Sequence, residues 1–111
     1  MKLERTDYGA LAVLAPRGEL TGEDVETFRR EVHRCLDAGS ADLILDCSAI
    51  GAYDSAALEL LLELRRLCRD RGGKLKLCRP DAIGRKIFEI TRLEQQFELF
   101  DDVEAAIRSY S

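Results

Sequence analysis

The residues best placed to do chemistry lie in one stretch, Asp46-Cys47-Ser48-Ala49-Ile50-Gly51-Ala52-Tyr53-Asp54-Ser55-Ala56-Ala57-Leu58. A short apolar run, read as a buried strand, ends at Asp46; a turn follows, and Asp54-Ser55 opens the longest helix of the chain. Free N–H groups and the helix dipole at such a place favour negative charge. A hydroxyl in that first turn can therefore carry a phosphate without local strain. The same two residues also suit an ordinary N-cap, because Asp and Ser are favoured there. Spacing alone leaves both readings open.

Little else in the chain is equipped for catalysis. There is no GxxxxGK loop, no GxGxxG and no HExxH. His33 is the only imidazole, and it falls off the helical stripe of Val25, Phe28, Val32 and Leu36, which predicts that it faces solvent. A Ser-His-Asp or Cys-His mechanism would rest on that one residue. No catalytic residue is assigned, and the chain is not expected to be an enzyme. The four cysteines, Cys35, Cys47, Cys68 and Cys78, form no CxxC pair. Zinc sites need closely spaced ligand pairs, so free, buried thiols with no metal and no cofactor are expected.

The helix that Ser55 opens has two distinct sides. At about 100° per residue, Ala57, Leu60, Leu61, Leu64, Leu67 and Cys68 form one apolar stripe, the core side. Leu58 and Leu62 fall on a flank with Ser55, Arg65, Arg66 and Arg69. Two leucines beside a hydroxyl and three arginines suit a partner-binding surface. Packing of Leu58 and Leu62 under a neighbouring loop is the other possibility.

The elements that must position these residues follow from pattern. Residues 2–7 and 10–15 read as strands around Tyr8-Gly9, a hairpin. Helical spacing runs from Thr21 to about Ala38 and stops at Gly39. Residues 42–47 form a buried strand, 55–71 a helix closed by Gly72-Gly73, and 74–78 an alternating strand. Pro80 and Asp81 open a helix carrying Ile83, Ile87 and Ile90; residues 97–100 form a last strand, and Asp101 or Asp102 caps a final helix. The alternation predicts a single α/β domain over residues 1–111, a mixed, mostly parallel sheet of four or five strands flanked by about four helices.

Composition narrows the partners. In 111 residues, 46% apolar and 34% charged, there is enough core-forming material for one domain and too much for a disordered chain. A net charge of −4 argues against nucleic acid as a direct partner. No apolar run approaches the ~20 residues that a membrane span needs, and residues 1–7 alternate charge instead of forming a signal segment. A soluble, cytoplasmic protein is expected.

The run Leu43-Ile44-Leu45-Asp46-Cys47-Ser48, followed by Tyr53-Asp54-Ser55-Ala56-Ala57-Leu58, resembles the STAS domain of bacterial anti-sigma factor antagonists. Gly18-Glu19-Leu20 is similar to the Gly-Glu-Leu-Asp segment of that family, and the element order matches over essentially the whole chain. The resemblance implies a protein-protein switch whose partner is an anti-sigma factor that is also a serine kinase. It implies Ser55 as the phosphorylated hydroxyl; with Leu58 and Leu62 of the helix flank, Asp54 and Glu19 are expected on the partner-binding surface. A STAS subunit docked on the ATPase of an ABC-type lipid transporter, or a scaffold domain without phosphorylation, would carry the same fold. The chain departs from the family pattern at Thr21, which replaces the Asp after Gly-Glu-Leu, at Ala56, where a hydroxyl is common, and at Ala57 and Glu59, which replace two glycines. Alanine suits a helix better than glycine by about 1 kcal/mol, so the departures do not threaten folding.

Overall fold

A computed structural model describes residues 1–110. Two strands at the amino-terminal end set the frame: β2 (Leu11–Leu20) follows β1 (Lys2–Tyr8) through the two-residue turn Gly9-Ala10, since Tyr8 faces Leu11 across the antiparallel pair. The remaining elements are α1 (Glu23–Asp37), β3 (Asp42–Asp46), β4 (Ile50–Tyr53), α2 (Ser55–Asp70), β5 (Leu75–Cys78), α3 (Ala82–Ile90), β6 (Leu99–Phe100) and α4 (Val103–Arg108). The main sheet runs β1-β2-β3-β5-β6, parallel except for β1, and β4 pairs with the far end of β2. The α/β expectation is met, with six strands in place of four or five.

The additional strand is β4, in the segment read from sequence as a turn. Ile50-Gly51-Ala52-Tyr53 is short and half made of small residues, so it carries no alternation to betray it. Its partner explains it. The first half of β2 pairs with β3 at Leu11–Leu14, and the second half pairs with β4 at Gly18–Leu20. Pro16 falls between these two ladders, where its missing N–H costs no bond to either.

Strand alternation divides the interior into two parts. Ala12, Leu14, Leu43, Leu45, Leu75 and Leu77 face α1, α2 and α3 and meet Phe28, Leu61, Leu64 and Phe88 there. Leu11, Val13, Ile44 and Cys78 face the other way and are covered by α4 through Ala106, with Val103, Ile107 and Tyr110 packed around it. Both faces of the central strands are thus covered, as their near-continuous apolar runs require. The same alternation sends Lys76 toward α4, where it is buried. Its ammonium donates to the Ser109 hydroxyl at 2.9 Å, pairs with Glu98 at 3.1 Å and lies 4.2 Å from the centre of the Tyr110 ring. The Tyr110 hydroxyl lies 2.7 Å from the carbonyls of both Leu43 and Lys74, so it bridges the starts of β3 and β5.

Several details refine the sequence reading. Asp102, one of two candidates, caps α4 by accepting the Ala105 N–H. His33 is half-buried rather than turned to solvent, because it flanks the buried Val32 on α1. The last strand shrinks to Leu99–Phe100, since Leu93–Gln95 forms a 3-10 turn that leads Phe97 into the core. On α3 the core contacts are made by Gly84, Phe88 and the half-buried Ile87, leaving Ile83 and Ile90 exposed. Gly73 packs so tightly that a Cβ there would lie 2.1 Å from the Ala41 carbonyl oxygen, which excludes any side chain. All four cysteines are free and buried. Among the described residues, no helix is long and apolar enough to cross a membrane.

Candidate functional site

The site is built where β2 and β4 end side by side. Glu19 pairs with Ala52 and Leu20 with Tyr53, after a register shift at Gly18/Glu19. The chain then turns directly into α2 at Asp54-Ser55, as expected. This brings Glu19, Asp54, Ser55 and Leu58 to the carboxyl-terminal end of the strands, the edge at which ligands of open α/β sheets gather.

Asp54 has two structural tasks. One carboxylate oxygen accepts the Ala57 N–H at 2.8 Å and caps α2; the other accepts the Gly22 N–H at 3.0 Å, at the start of α1. Gly22 has a φ of 55°, in the left-handed region that a side chain disfavours, and this turn aims its N–H at Asp54. The Gly22 and Ala57 N–H groups hold the Asp54 carboxyl below its ordinary value, so it is ionised at neutral pH. The ordinary N-cap reading of Asp54 is therefore correct in geometry, and the cap also ties two helices together.

Ser55 is exposed on the first turn of α2, with the amides of that turn beside it and no competing role in the core. Leu58 and Leu62 follow at i+3 and i+7, on the same face as Ser55. They differ in burial: Leu58 is half-buried and packs against the main core, whereas Leu62 is 39% exposed. The predicted core stripe holds at Ala57, Leu60, Leu61, Leu64 and Cys68, with Leu67 only partly covered. Glu59 is exposed one turn beyond Ser55, and Glu19 is exposed on β2. The surroundings of the hydroxyl are acidic.

Behind this surface lies a polar link that sequence reading left unassigned. Asp46, buried at the end of β3, pairs with Arg79 after β5 and accepts the Ser48 N–H at 3.1 Å. Burial pushes the Asp46 carboxyl up, but the bonds from Arg79 and Ser48 outweigh it and hold it below its ordinary value. Arg79 takes a φ of 53° to reach Asp46. Tyr53 closes the site from below, its ring edge-on to Phe88 at 5.3 Å. Among the described residues, the arrangement shows no hydrogen bond between the Ser55 hydroxyl and a base. It offers an addressable hydroxyl, a rigid helix start and a mixed apolar and acidic face.

Comparison with known proteins gives a consistent family. The model of the STAS domain matches residues 2–106. The chain is 24% identical over 110 residues to BtrV of Bordetella bronchiseptica, a candidate anti-sigma factor antagonist, covering 99% of this chain and 95% of that protein. Its fold matches that of TM1081 from Thermotoga maritima, another candidate antagonist, with a TM-score of 0.90 at 20% identity, covering 96% and 92% of the two chains. The anti-sigma factor antagonist SpoIIAA in its unphosphorylated form gives 0.85 at 22% identity over 98% and 96%, and the phosphorylated form of SpoIIAA, from Bacillus, gives 0.78 at 20% over 99% and 100%.

Proposed function

The chain belongs to the STAS domain family, and from that premise we propose that it is an anti-sigma factor antagonist, a cytoplasmic binding protein rather than an enzyme, switched by phosphorylation of Ser55. The observation that carries this reading is the placement of Ser55. It is exposed immediately after the capping Asp54 and shares a helix face with Leu58 and Leu62. The similarity to SpoIIAA, known in both phosphorylation states, supports it.

The unmodified domain captures an anti-sigma factor that is also a serine kinase, using Leu62 and the outer part of Leu58 with Asp54 and Glu19 at the rim. Phosphorylation of Ser55 adds about −1.5 to −2 charges at neutral pH. The first-turn amides of α2 accommodate that charge, so the domain stays folded. Asp54, Glu19 and Glu59 make the same face strongly acidic, and a partner seated on the leucines meets repulsion and is released.

The test is incubation with the candidate kinase and ATP, followed by intact-mass and peptide analysis, beside binding measurements on two variants. The expected result is a single phosphate on Ser55, constitutive capture by Ser55→Ala and loss of capture by Ser55→Asp. Labelling of Ser48, or full binding by Ser55→Asp, overturns the switch.

A further inference from the structure

A cleft of about 230 Å³ opens at the opposite end of the sheet, between the second half of α2, the start of β5 and the segment leading into β6. Arg65, Arg69 and Lys74 stand on its walls, and the buried Leu75 and Phe97 contribute to its floor. Its acidic lining residue, Glu98, is already paired with Lys76 at 3.1 Å. Among the described residues, Arg65, Arg69 and Lys74 have no carboxylate partner, whereas Arg71 nearby is paired with Asp37. Arg65 and Arg69 are also one helical turn apart, a like-charge spacing that gains nothing for the free helix. In a chain of net charge −4, this is a concentrated and unanswered positive field beside an apolar floor.

We propose that this cleft is a second binding site, for a small organic anion that carries a phosphate or carboxylate on a ring-sized apolar body. The guanidinium forks of Arg65 and Arg69 suit the planar or bidentate recognition of such a head group, and Lys74 adds a point charge. The body rests on Leu75 and Phe97. The volume lies below the roughly 300–1,000 Å³ of drug-sized pockets, which limits the body to about one ring. Arg69 lies 14 residues beyond Ser55 on α2, about 21 Å along the helix axis, so the cleft is remote from Ser55; it continues the flank of Leu58 and Leu62 but does not rest on the antagonist reading.

Amide NMR titration with phenyl phosphate tests it, with inorganic phosphate at equal ionic strength as the charge-only arm. The expected result is saturable shifts centred on Gly73, Lys74, Leu75 and Phe97, with inorganic phosphate binding about tenfold more weakly. Arg65→Gln combined with Arg69→Gln should weaken phenyl phosphate by about tenfold or more, as loss of charged hydrogen bonds does. Lys74→Gln, off the helix, gives a second reading should the double variant not fold. Shifts that do not saturate, shifts centred on the start of α2, equal binding of inorganic phosphate, or unchanged affinity in the folded variants would each overturn the proposal.

Discussion

Asp54 and Gly22 are 32 residues apart in sequence, yet the Asp54 carboxylate takes the Gly22 N–H at 3.0 Å while its other oxygen caps its own helix. The residue preceding the proposed phosphorylation site is thus a joint between α1 and α2. Capping of α2 and the link to α1 both depend on the same carboxylate.

Asp54→Asn should separate its two roles. Asparagine keeps one carbonyl acceptor for Ala57, but its amide cannot accept from Gly22. The variant should therefore melt below wild type at neutral pH. The folded carboxyl sits below its unfolded value of about 3.9, so its contribution is fully present above that pH and is lost as pH falls through the folded value. Melting curves of both proteins from pH 7 to pH 2 should converge at the acid end; a gap independent of pH would contradict the assignment.

Leucines on α2 should grade by burial. Leu61→Ala, in the core, should cost about 2–5 kcal/mol, and Leu62→Ala, exposed, within about 0.5 kcal/mol of nothing. Leu58→Ala should fall between them, since Leu58 packs on the core with only part of its side chain covered. Urea unfolding measures the three values, and partner capture measured alongside should be weakened by Leu62→Ala without loss of fold.

Lys76 and Tyr110 should hold α4 together. Lys76→Met removes the bond to Ser109 and the contact with the Tyr110 ring, at a cost of about 1.5–3 kcal/mol; Tyr110→Phe removes one hydroxyl bond, about 0.5–1.5 kcal/mol. Hydrogen exchange should localise both effects to α4 and the starts of β3 and β5. Uniformly raised exchange across the sheet would mean that α4 is not a separate unit.

Thiol chemistry should be silent in the folded state. Burial pushes the Cys47, Cys68 and Cys78 thiols up to about 12 and raises Cys35 as well. At pH 8 a thiol reagent should label none of the four until denaturant is added, because the thiolate is the reacting form. Rapid labelling of any one in the native protein would mean that its surroundings open readily.

Much of this fold was legible in the sequence because its central signals are local. The stripe on α2, the Asp54-Ser55 helix start and the parallel alternation of strands and helices all lie within short windows. The misreadings came from relationships between distant segments. β4 has no pattern of its own and exists because the far half of β2 needs a partner. Lys76 alternates like an exposed residue, and only the docking of α4 buries it. The second task of Asp54 requires Gly22, which no spacing rule connects to it. On α3, Ile83, Ile87 and Ile90 share a helical period, yet only Ile87 of the three packs against the core, beside Phe88 and Gly84, since Tyr53 and Phe88 pack edge to face.

The double partnership of β2 also orders events in time. Its pairing with β1 crosses a two-residue turn, a hairpin of the kind that forms in about 1–10 μs. Its pairing with β4 must wait for α1 and β3 to be threaded between them, a longer closure and a slower one. The end of β2 that carries Glu19 is therefore completed late, and with only Gly18–Leu20 in its ladder it is held by few bonds. Amides of β4 should exchange with solvent sooner than those of β3. A strand that opens at low cost is one that an arriving partner could remould, so the short β2–β4 ladder beside the firmly capped start of α2 would give the proposed binding end one yielding side and one fixed side.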